Sequence, residues 1–117
     1  MIVKNVDLAT VLNTLADEVN LKILSFLSLY DELCVCDLQT LLSMTQSSVS
    51  RHLKALHDID FISVRKDGRW RYYKLGKIPK FVNGIINLAI EEYKVRSDYI
   101  PNSCKGLEQN QRSWKRE

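Results

Sequence analysis

The chain has 117 residues, 45% of them hydrophobic, with 17 Lys and Arg against 14 Asp and Glu. That length builds one core and leaves no room for a catalytic domain beside a regulatory one, and the composition excludes a disordered chain, a collagen-like repeat and a coiled-coil rod. No apolar stretch approaches the about 18 residues that span a membrane. The opening MIVKNVDLA has no basic segment followed by an apolar one, so a cytoplasmic chain with no membrane partner is expected.

Leu8, Val11, Leu12 and Leu15 recur at helical spacing and predict an amphipathic helix over residues 5–16. Asp17 is a suitable N-cap for a second helix reaching residue 30. The wide apolar arc of that helix, including Ile23, Leu24, Phe26 and Leu27, predicts a central buried element. Residues 33–35 read as briefly extended and 36–42 as a short helix. Residues 43–45 form a turn, and Thr45 can cap a helix over 46–58 with Val49, Leu53 and Leu56 inward. Two runs rich in β-branched and aromatic residues, 61–66 and 69–75, flank Asp67-Gly68; a hairpin with both turn residues at positive φ is predicted. A last helix is predicted over 79–97 with an apolar stripe, and residues 98–117 as a flexible tail. The fold class expected is mainly α with a small β-hairpin wing, an α+β winged helix-turn-helix of about five helices, in one domain over residues 1–97.

The net charge of +3 is unevenly spread. Residues 1–50 carry two basic and six acidic side chains, 51–80 nine and three, and 81–117 six and five. The basic block coincides with the second helix of the helix-turn-helix and with the hairpin. It reads as a double-stranded DNA interface, with a solvated charged face as the alternative. Beside Thr45, the short polar side chains of Gln46, Ser47, Ser48 and Ser50 can approach base edges and phosphates. Arg51 and Lys54 can reach phosphates or guanine edges, and Arg65, Lys66, Arg69 and Arg71 of the hairpin can follow the flanking groove. His52 reads as a packing or phosphate-side residue and His57 as exposed.

Three cysteines are an odd number, and Cys34 and Cys36 form a tight C-V-C. This argues against a secreted disulfide framework, and no second pair completes a four-cysteine zinc site. The pair is either structural or a thiolate sensor. It lies at a helix start, where helix N–H groups favour thiolates while Asp31, Glu32 and Asp37 oppose them. Residues two apart point about 200° apart on an α-helix but to the same side of an extended segment. An ion held by both sulfurs is therefore expected to keep the helix start open and to shift residues 46–54 out of register with DNA.

The strings ELCVCDL, SSVSRHLKAL and VRKDGRWRYYKL together resemble the ArsR/SmtB family of bacterial metal-responsive repressors, and within it the arsenic-sensing branch, over residues 8–96. The resemblance implies a homodimer on an imperfect inverted repeat, controlling an arsenic-resistance operon and released when arsenite or antimonite binds Cys34 and Cys36. It implies no enzyme activity and no organic cofactor. It places the dimer interface on the first and last helices, here Leu8, Leu12, Val82, Ile85, Ile86, Ala89, Ile90 and Tyr93. The family pattern often has a third cysteine three residues after the second; here that position is Gln39. Arsenite and antimonite prefer three thiolates, which leaves the third to Cys104, from the same or the partner chain, or to a small exogenous thiol. An unused tail cysteine is the alternative for Cys104. The usual Thr-Arg near the start of the second helix is Val19-Asn20, and the last helix lacks the histidines of an interhelical zinc site. Competing readings are a response to cadmium, lead, bismuth or redox, a module with a structural C-x-C, and a small thiol enzyme. The enzyme reading lacks a base beside the cysteines and a Gly-rich loop.

Overall fold

A computed structural model describes residues 7–101 of the chain. In order these form α1 (Leu8–Leu15), α2 (Glu18–Leu29), β1 (Leu33–Cys34), α3 (Val35–Leu42), α4 (Gln46–Asp58), β2 (Ile62–Asp67), β3 (Trp70–Leu75) and α5 (Lys80–Glu92). The expected winged helix-turn-helix is present. None of the described helices is long and apolar enough to cross a membrane.

Side-chain caps set the starts of α1, α2, α3 and α4. Asp7 Oδ1 accepts from the Thr10 amide at 2.9 Å and caps α1 at Leu8; residues 5 and 6 of the expected helix lie outside the described residues. Asp17 Oδ1 accepts from Val19 and Asn20 at the head of α2, and Thr45 Oγ1 from the Ser48 amide at 3.3 Å at the head of α4. Each such cap contributes about 1 kcal/mol. The ends share another device. Ser43, Asp60 and Lys94 adopt φ of 56°, 63° and 53°, and the next amide bonds five residues back: Met44 to Gln39, Phe61 to Leu56 and Val95 to Ile90, at 3.2, 3.0 and 3.0 Å. This left-handed closure usually falls on glycine. None of the three positions is glycine, so the last helix, expected to reach residue 97, stops unannounced at Glu92.

α2 runs through the middle of the core, with Ile23 and Leu24 fully enclosed as expected. α5 packs against it through Val82, Ile86 and Ala89, which are buried within the single protomer. This corrects their assignment to a dimer face. Positions 82, 86 and 89 make one helical stripe and positions 81, 85 and 88 another beside it. Only the second faces outward, with Phe81 45% and Leu88 66% exposed and Ile85 half-buried. α1 divides the same way: Val11 and Leu15 are buried, while Leu8 and Leu12 are 59% and 47% exposed. Ile90 and Tyr93 are half-buried, and the Tyr93 ring carries Lys22 Nζ at 5.3 Å from its centre.

β2 and β3 form the predicted hairpin, in register Lys66↔Arg71 and Asp67↔Trp70. The turn residues are therefore Gly68 and Arg69, not Asp67 and Gly68, and only Gly68 has positive φ, at 64°. Glycine first in a two-residue loop is the pattern that matches strand twist with one positive φ. β1 adds a third strand on the other edge of β3, pairing Leu33↔Tyr73 and Cys34↔Tyr72. Gly76 closes the hairpin: its amide donates to Phe61 O at 2.8 Å, and an added Cβ would stand 2.6 Å from Asp60 O. Gly76→Ala is expected to cost about 1–3 kcal/mol, read as a lower urea midpoint at unchanged m-value.

The packed structure continues past residue 97. The Tyr99 amide donates to Tyr30 Oη at 2.8 Å, and the two rings meet edge to face at 6.2 Å. The predicted tail boundary at 98 is thus too early. The rest of that segment from residue 102, with Cys104, lies outside the described residues.

Candidate sensor and nucleic-acid interface

Cys34 is the N-cap of α3 and Cys36 lies in its first turn. Their Cα atoms are 5.3 Å apart and their sulfurs are joined in a disulfide. The link spans two residues, so it ties no distant elements together and is no fold staple. It also corrects the geometric expectation. Cys34, with φ −88° and ψ 171°, is extended and just outside the helix, so the two sulfurs converge while α3 remains intact from Val35. Both sulfurs can grip one atom without unwinding anything.

Asp37, read from sequence only as a nearby charge, is the second half of this cap. Its Oδ2 accepts from the Cys34 amide at 3.0 Å, and its amide donates to Cys34 Sγ at 3.4 Å. Its Oδ1 accepts from the Tyr99 hydroxyl at 2.9 Å. Burial, then the bond to Asp37, pushes the Tyr99 pKa up to about 12. The Asp37 carboxylate is fully enclosed, and one of its oxygens lies with the two sulfurs in a cluster no wider than 4.8 Å. The sequence signal was a reciprocal cap with cysteine where serine or threonine usually stands, C-V-C-D.

The predicted DNA residues separate into two groups. Thr45, Gln46, Ser47, Ser50, Arg51 and Lys54 are exposed along α4, with Ser48 half-buried. Thr45 also serves as the cap, Arg51 Nη2 donates to Ser48 Oγ at 3.3 Å, and Lys54 Nζ is 3.4 Å from Asp58. His52 turns inward: its Nδ1 lies 3.0 Å from Asn20 Oδ1, which can only accept, so Nδ1 carries the proton. Asn20 in turn donates to Thr14 O at 3.0 Å, so this buried amide locks α4 to α2 and α1. The departure from the family pattern at residue 20 therefore has a packing role.

On the wing, Lys66 and Arg71 face each other directly across the ladder and Arg69 stands at the tip. Like charges so placed repel, which fits a surface built for an anion. Arg65 differs. It makes a two-pronged pair with Glu32, Nε to Oε2 at 2.9 Å and Nη2 to Oε1 at 2.8 Å, and its guanidinium lies 4.5 Å from the Tyr72 ring centre. Its charge anchors the wing to the segment before the cysteine pair. Those hydrogen bonds hold the Glu32 carboxyl below its usual 4.5. A lowered carboxylate pKa gives stability that is full above pH 4.5 and is lost as pH falls through the folded value. Glu32→Gln is expected to cost about 1 kcal/mol near neutrality, because half-exposed pairs are screened. In thermal melts across pH, that deficit disappears in acid.

The two halves of the site meet. A cleft of about 300 Å³ opens beside Cys34 and Cys36 and is walled by Gln46 and Ser50 of α4 and by Arg69 and Arg71 of the wing. A ligand on the sulfurs would therefore sit against side chains expected to meet DNA.

Comparison with known proteins agrees with this layout. Residues 17–64 match the family described as "Bacterial regulatory protein, arsR family". The chain is 39% identical over 102 residues to the arsenical resistance operon repressor of Escherichia coli K12, covering 82% of this chain and 87% of that protein. It is 38% identical over 69 residues to a cadmium resistance transcriptional regulatory protein CadC homolog of Staphylococcus aureus, covering 59% and 57%. Reduced HlyU from Vibrio cholerae superposes with a TM-score of 0.60 at 30% identity, covering 73% of this chain and 86% of that one. The AntR antimony-specific transcriptional repressor shares the fold, with a TM-score of 0.62 at 24% identity over 80% and 93%.

Proposed function

The chain belongs to the arsR family of bacterial regulatory proteins, and from that premise we propose that it represses an arsenic-resistance operon and leaves its operator when arsenite or antimonite binds the reduced Cys34 and Cys36. The observation that carries this reading is the shared cleft. The sulfur pair and four side chains proposed to meet the operator line one space, so an inducer there and a DNA phosphate there would exclude one another. Such a repressor works in the cytoplasm on double-stranded DNA, reading bases through Gln46, Ser47 and Ser50 and phosphates through Arg51, Lys54, Lys66, Arg69 and Arg71. Ser48 and His52 support the recognition helix at its flank.

The experiment is operator release, followed by fluorescence anisotropy on a duplex selected from a random DNA library. Reduced protein is titrated with arsenite, antimonite, bismuth, cadmium and lead. Release at the lowest concentrations by arsenite or antimonite supports the reading; release only by cadmium or lead replaces it with a divalent-ion sensor. A second reading is favoured by the Cys34–Cys36 disulfide itself: oxidation as the signal, with release by peroxide and none by arsenite.

The functional unit proposed is a homodimer. The apolar side chains left outward on the first and last helices, Leu8, Leu12, Phe81 and Leu88, suit a face covered by a second copy. Leu88→Glu is expected to shift the protein to monomer in sedimentation velocity without a loss of helix signal. A monomeric wild type would remove the proposal.

A further inference from the structure

The proposed inducer leaves one coordination position to fill. Trivalent arsenic prefers three thiolates, and the described residues contain two cysteine sulfurs. The nearest further donor, Asp37, is a hard carboxylate with Oδ2 engaged by the Cys34 amide and Oδ1 by the Tyr99 hydroxyl. The cleft beside the sulfurs offers a different completion. Besides the cysteines its lining holds two cations, Arg69 and Arg71, five further side chains that can hydrogen-bond, Gln39, Gln46, Ser50, Trp70 and Tyr73, and no carboxylate. Among the described residues neither arginine forms an ion pair. At about 300 Å³ the space is at the small end of metabolite sites.

The geometry points to this cleft as the seat of an anionic low-molecular-weight thiol that supplies the third sulfur to the metalloid and sets its carboxylates on Arg69 and Arg71. The inference rests on the proposed arsenite response. The chemistry balances without a change of arsenic oxidation state. Arsenous acid, As(OH)₃, exchanges its three As–O bonds for three As–S bonds, and the three S–H protons leave in three waters. The same thiol class opens the disulfide beforehand: two thiol molecules give up two electrons and leave as their own disulfide, and Cys34 and Cys36 become thiols. The seated anion takes the two cations, Arg69 and Arg71, that a DNA phosphate would use, so the co-ligand itself contributes to release.

The test uses full-length protein reduced with a trialkylphosphine, which supplies no thiol. Arsenite binding is followed by near-ultraviolet As–S absorption, without DNA, for wild type and Cys104→Ser. Each is measured with no added thiol, with glutathione and with 2-mercaptoethanol at equal thiolate concentration. The expected result is an apparent arsenite affinity roughly tenfold higher with glutathione than with 2-mercaptoethanol in both proteins, the size of a charge-assisted contact. In an Arg69→Gln/Arg71→Gln variant, shown folded by circular dichroism, that difference disappears. Equal affinities with the two thiols overturn the inference. So does full three-thiolate absorption of wild type without added thiol that is lost in Cys104→Ser, which would make Cys104 the third ligand. Absorption missing under every condition, or unchanged in Cys34→Ser/Cys36→Ser, removes the arsenite response itself and the inference with it.

Discussion

Replacing Cys34 and Cys36 together by serine is expected to abolish arsenite-dependent release while leaving operator affinity within about twofold of wild type. The separation follows from the cap. Serine is among the best N-cap residues, and its oxygen can accept from the Asp37 amide as Cys34 Sγ does at 3.4 Å. The head of α3 therefore survives, and with it the left-handed turn at Ser43 that sets α4. What is lost is the soft donor pair. Anisotropy titrations on the same duplex read both quantities at once. Release of the variant at wild-type arsenite concentrations would move the sensor elsewhere in the chain.

Neutralising the wing is expected to change the salt dependence of DNA binding more than any single contact on α4 does. Each phosphate contact contributes about 0.9 to the slope of log affinity against log salt. Lys66→Gln with Arg71→Gln removes two contacts per protomer, and in a dimer lowers the slope by up to about 3.6. Arg65→Gln is the internal contrast. Its guanidinium is already held by Glu32, so it should lower stability and leave the slope nearly untouched. An unchanged slope in the Lys66/Arg71 variant would place the hairpin off the DNA.

Much of this was legible in the residues. Helical spacing located all five helices, the D-G signal located the hairpin, and C-V-C located the sulfur pair. What escaped has identifiable causes. Helix ends on Ser43, Asp60 and Lys94 carry no glycine to announce them. Residues 33–35 were legible as briefly extended, but the pairing that makes β1 a strand of the sheet beside β3 was not. The apolar stripe of α5 merged an inward and an outward row, because at 3.6 residues per turn neighbouring rows differ by one position. Asn20 with His52, and Asp37 with Tyr99, are hydrogen-bonded pairs 32 and 62 residues apart, beyond any local pattern. The cleft joining the cysteine pair and the wing depends on that same long-range register.

The cap at residue 34 also bears on how such a sensor arises and disappears. The position must hold a residue that can accept the first amide of α3, and serine, threonine, asparagine and aspartate meet that demand as well as cysteine. Cys34→Ser would therefore remove the thiol while keeping the cap that starts α3. The proposed inducer response at this helix is therefore separable from the fold that carries it.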